Sequence, residues 1–76
     1  MSAYILLDTQ QEAEAVKQQL LSIAGVWTVS VYFSKYHNKF EVKINAGTAQ
    51  KIGLTRGSPF TKTDLDVILE NNPKKH

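Results

Sequence analysis

"VWTVSVYFSKYHNKFEVKI", residues 26–44, decides the fold. Its first half alternates: Trp27, Val29, Val31 and Phe33 fall on one side, Thr28, Ser30 and Tyr32 on the other. Its second half alternates as well, with Phe40, Val42 and Ile44 set against Lys39, Glu41 and Lys43. Period-two patterning of this kind marks two half-buried strands, and the polar stretch between them marks a hairpin turn. A turn at His37-Asn38 pairs Phe33 with Val42 and Val31 with Ile44. A turn centred on Tyr36-His37 keeps the same parity, so both registers put apolar opposite apolar.

Upstream, "AYILL" (residues 3–7) is a short apolar run bounded by Asp8-Thr9, too short for a helix and read as a buried strand. "DTQQEAEAVKQQLLSIAG" follows with helical grammar. Thr9 and Glu12 have capping-box spacing, and Ala13, Val16, Leu20, Ile23 and Ala24 share one face with Leu21 on its flank. Gly25 stands where a left-handed residue would end that helix.

Downstream, "TAQKIG" (residues 48–53) predicts one or two helical turns. "LTRGSPFTKTDL" (residues 54–65) then leads into a last helix whose inner face is Leu65, Ile68 and Leu69. Either Ser58-Pro59 or Thr61 with Asp64 can open it, and Phe60 is expected to tuck against the core. Asn71-Asn72-Pro73 stops it, and residues 73–76 are expected to fray.

The expected architecture is an α+β two-layer sandwich of order β-α-β-β-(short helical turn)-α. A three-stranded mixed sheet has its helices on one face, and a right-handed crossover makes the first two strands parallel. Trp27, Val29, Val31, Phe33, Phe40, Val42 and Ile44 would face the helices. The 76 residues form a single small domain, and the start at Met1 suggests a complete small gene product. The 42% apolar content suits a globular chain rather than a disordered one. The absence of cysteine rules out disulfides and thiolate metal sites. Without a membrane span or secretory leader, the expected setting is the cytoplasm.

Charge is distributed unevenly. Residues 1–34 carry net −2, residues 35–62 carry net +5, and residues 63–76 carry net −1. The positive middle holds Lys35, Lys39, Lys43, Lys51, Arg56 and Lys62 against Glu41 alone. A field of this shape bears on partners.

These features point to a non-enzymatic binding module. Lys35, Lys39, Lys43, Arg56 and Lys62 would meet phosphates while Tyr32 or Tyr36 stacks on bases, with His37 beside them at the hairpin tip. The expected partner is nucleic acid or a nucleic-acid-processing complex. The alternative is a protein-binding inhibitor or adaptor, of the kind phages and mobile elements encode, that docks its hairpin and sheet face or edge on an acidic protein surface. Homodimerisation through an open sheet edge belongs to that alternative. A small ribonuclease using His37 is the remote third possibility, because no nucleophile, base or second placed histidine accompanies it. No cofactor is called for, and the histidines and scattered carboxylates have no metal-ligand spacing. Around residues 54–65, an anion contact through Arg56 and Lys62 ranks behind the simpler role of helix entrance.

Overall fold

The computed structural model describes residues 2–55 and 57–75. Their order is β1 (Ala3–Leu7), α1 (Gln10–Leu21), β2 (Ser30–Ser34), β3 (Lys39–Ile44), α2 (Ala46–Ile52) and α3 (Lys62–Asn71). The α+β two-layer sandwich is as the pattern predicts, but the sheet is antiparallel rather than mixed. Its order is β1-β3-β2, and both hydrogen-bonded ladders are antiparallel. β1 and β2 do run the same way. The crossover through α1 skips one strand position, however, and β3 returns from the hairpin into the gap, as in a split β-α-β unit.

The hairpin adopts the Tyr36-His37 turn, pairing Phe33 with Phe40 and Val31 with Val42. Residues 35–38 form the loop, and Asn38 takes the left-handed conformation (φ 55°) that asparagine tolerates better than most residues. On the helix-covered face, Ala3, Ile5 and Leu7 of β1 join Val42 and Ile44 of β3 in the core. Ala13, Val16 and Leu20 of α1, Ala49 and Ile52 of α2, and Leu65 and Ile68 of α3 close it from the other side. Val31 and Phe40 pack only partly against this cluster, towards its margin.

Trp27 does not belong to the core: it is 76% exposed. β2 starts only at Ser30, and the inward residues before it are Val26 and Val29, a spacing of three that turns Trp27 and Thr28 outward. Phe33, near the hairpin end of β2, is also 47% exposed.

The first helix ends sooner than expected. Ser22 is the C-cap, its hydroxyl donating to the Gln19 carbonyl at 2.6 Å. Gly25 (φ 91°) closes the turn that follows, while Ile23 is fully buried and Ala24 lies outside. α2 starts earlier than Thr48 because the Asn45 side chain caps it, accepting from the Thr48 N–H at 2.8 Å. It ends at left-handed Gly53, as predicted. Of the two openings considered for α3, Thr61 with Asp64 is the one used, forming a complete capping box.

The expectation of a frayed tail over residues 73–76 fails for Pro73–Lys75. The Ala24 N–H donates to the Pro73 carbonyl and the Lys75 N–H to the Ser22 carbonyl, both at 2.8 Å. The Lys75 ammonium donates to the Val26 carbonyl and lies 3.9 Å from the centroid of the Trp27 ring. A cation over an aromatic face supplies the attraction that sequence patterning did not weigh. His76 lies outside the described residues. No helix among the described residues is long and apolar enough to cross a membrane.

Candidate docking surface

The uncovered face of the sheet is built around Glu41. The registers place Leu6 on one side of it and Tyr32 on the other, with Lys43 next along β3 between Tyr4 and Ser30. Glu41 is 6% exposed, a low value for a carboxylate on an open face. The Tyr32 hydroxyl donates to Glu41 Oε2, and His37 Nδ1 lies 3.9 Å from Oε1. That hydrogen bond, with partial burial and the adjacent negative charge, pushes the Tyr32 phenol up to about 12.

The hairpin tip closes over this group. The Ser34 hydroxyl accepts from the His37 N–H at 3.3 Å and also lies 3.2 Å from His37 Nδ1. The imidazole packs 5.7 Å from the Tyr4 ring, and Tyr36 meets it edge-on at 4.8 Å. The turn is therefore braced on the sheet rather than projecting freely. Tyr36 stays outside, 91% exposed, with Lys35 and Asn38 beside it.

The predicted binding residues do not gather into one basic surface. Lys39 donates to Asp8, and this bond together with the lysine charge holds the Asp8 carboxyl below its usual range, aided by Lys62. Lys62 is itself 3.4 Å from Glu12. Two of the five expected phosphate contacts thus stand in ion pairs beside the start of α1. Tyr32 and Lys43 lie on the sheet face, whereas Lys35, Tyr36 and His37 lie at the tip. Arg56 lies outside the described residues. At the α3 N-terminus, the Thr61 hydroxyl accepts from the Asp64 N–H at 3.1 Å, and the Asp64 carboxylate accepts from the Thr61 N–H at 3.0 Å. This supports the helix-entrance reading of residues 54–65, and Phe60 is buried there as expected.

The two edges of the sheet differ. Along β1, the Phe60 N–H donates to the Tyr4 carbonyl at 2.8 Å, and the Tyr4 N–H donates to Ser58 Oγ at 3.1 Å. Along β2, no segment among the described residues hydrogen-bonds to the outer backbone. Of the large exposed apolar residues, Tyr32 and Phe33 lie on this bare strand. Trp27 precedes it beneath the Lys75 ammonium, Tyr36 lies at the tip against His37, and Val67 lies on α3. Alternation alone places the side chains of Trp27 and Phe33 in the core. A usable signal was nevertheless present: no charged residue occurs from Gln18 to Ser34. A surface strand inside such a stretch has none of the charges that usually protect an edge.

No protein-family model, curated protein or solved structure matches this chain.

Proposed function

We propose that this protein is a non-enzymatic docking module that binds another protein, in the cytoplasm, through the flank formed by Trp27, β2 and the hairpin tip. The observation that carries this reading is an uncharged strand edge, without a backbone partner among the described residues, that carries the exposed rings of Tyr32 and Phe33. Backbone groups on such an edge accept an added strand, while aromatic residues supply apolar area with few rotors to immobilise. Lys35, exposed at the tip, would form part of a polar rim around this edge. The ion pairing of Lys39 and Lys62 weighs against nucleic acid as the main partner, since each phosphate contact would have to displace a carboxylate.

Cross-linking capture from cell extract, with and without nuclease, tests the choice. Nuclease-resistant capture lost in Phe33→Lys and Tyr36→Ala, but kept in Lys39→Ala and Lys43→Ala, is the expected result. Salt-sensitive binding of short DNA or RNA that weakens in the two lysine variants would overturn it and restore the nucleic-acid reading.

A further inference from the structure

The sequence of the bare edge narrows the choice of partner. β2 reads Ser-Val-Tyr-Phe-Ser, which is nearly symmetric about Tyr32. We infer that the strand addressed by this edge is β2 of a second copy, paired antiparallel about Tyr32 into one continuous six-stranded sheet. This inference rests on the docking reading and specifies its partner.

Antiparallel pairing about Tyr32 sets Ser30 opposite the partner's Ser34, Val31 opposite the partner's Phe33, and the two Tyr32 residues opposite each other. Every residue keeps its face, because directly opposed residues in an antiparallel pair point the same way. Val31 and Phe33 belong to the helix-covered side of the sheet, where Phe33 is 47% exposed because no chain lies beyond it. The partner's Val31 would fill that position. The pairs formed are hydroxyl with hydroxyl, aliphatic with aromatic, and ring with ring. Aromatic–β-branched pairs are among the favourable cross-strand combinations, and no like charges face each other.

The symmetry is isologous, so one patch completes itself without generating an open filament. Its two-fold axis passes through the sheet at Tyr32 and leaves both helix layers on one side. Because the strands run oppositely, each hairpin tip is carried towards the other chain's Trp27. Tyr32 and Phe33 of both chains would thereby meet in a single interface. By contrast, the β1 edge already has its Tyr4 backbone groups engaged by Ser58 and Phe60.

The chain has no cysteine, so introduced thiols report the register without background. The test uses Val31→Cys and Phe33→Cys proteins, oxidised alone and as a mixture, alongside sedimentation of the unaltered chain over a range of concentrations. Opposed Cβ atoms lie about 5 Å apart, close to what a disulfide spans with a small shift. The expected result is a concentration-dependent dimer, with disulfide-linked dimer several-fold more abundant in the mixture than in either variant alone. Phe33→Lys should weaken the dimer about tenfold or more while preserving the circular dichroism of the fold. A monomer at all concentrations overturns the inference, as does equal cross-linking by Phe33→Cys alone. The docking reading fails separately: a monomer that still captures protein through Phe33 and Tyr36 retains it and discards only the second copy.

Discussion

The two edges of this sheet solve the same problem differently. At β1, the unpaired backbone meets a segment of the same chain, Ser58–Phe60, and Phe60 is driven into the core beside it. At β2, no segment among the described residues hydrogen-bonds to the outer backbone, and neither lysine nor proline interrupts the strand. Edge strands are usually blunted by charge, bulge or cover. Covering one edge and leaving the other without a backbone partner among the described residues is the difference on which the proposed docking reading rests.

The strongest way to break this comparison is to exchange the roles of the two edges. Phe60→Ala should cost about 3–5 kcal/mol in a urea melt, because a buried aromatic anchor is lost with the cover. Phe33→Ala should cost only about 1–2 kcal/mol of monomer stability, since half of the residue already lies in water and its main partner is the edge-on Phe40 ring. Similar losses in the two variants would show that the edges are equivalent. Thr61→Ala, which removes the cap where the covering segment enters α3, should cost about 1 kcal/mol.

A spectroscopic prediction sharpens the open-face side. Tyr32 should ionise only near pH 12 in a phenolate absorbance titration, and Glu41→Gln should bring it back towards its ordinary value near 10. The sign follows from the raised folded-state pKa. The folded chain holds this proton more tightly, so its stabilising effect is complete below pH 10 and is lost as pH climbs towards about 12. The smallest effect belongs to the charged end of the sheet. Lys39→Ala should raise the Asp8 carboxyl pKa by NMR titration and leave stability almost unaltered, because the pair lies in water.

Much of this arrangement is legible in the residues themselves. Strand parity in the hairpin, the Thr9 and Thr61 caps and the helix stop at Gly53 each rest on local chemistry, and each is found in place. The turn position is not legible, since both possible turns preserve parity and either can use Asn38's tolerance of positive φ. Strand order is hidden because "AYILL" is almost wholly apolar and carries no face preference to guide its pairing. Trp27 misleads because alternation continues in the sequence for three residues before the strand begins, so the ring seems to share parity with Val31. The pinned tail and the Glu41 cluster depend on contacts between distant segments, such as Lys75 on Trp27 and His37 on Tyr4. The basic middle of the sequence was visible, but its ion pairing with Asp8 and Glu12 was not.

The insertion of β3 between β1 and β2 has a consequence in time. The β2–β3 hairpin is local and can close in roughly microseconds once both arms exist. β1 precedes both arms, yet its only ladder is to β3 and its edge partner is Phe60. During synthesis at about 5–20 residues per second, the Ala3–Leu7 strand therefore waits for several seconds with Ile5 and Leu7 unsheltered by their sheet neighbours. Of the three strands, β1 is made first and enclosed last, and its vulnerable interval ends only when residues far along the chain have left the ribosome.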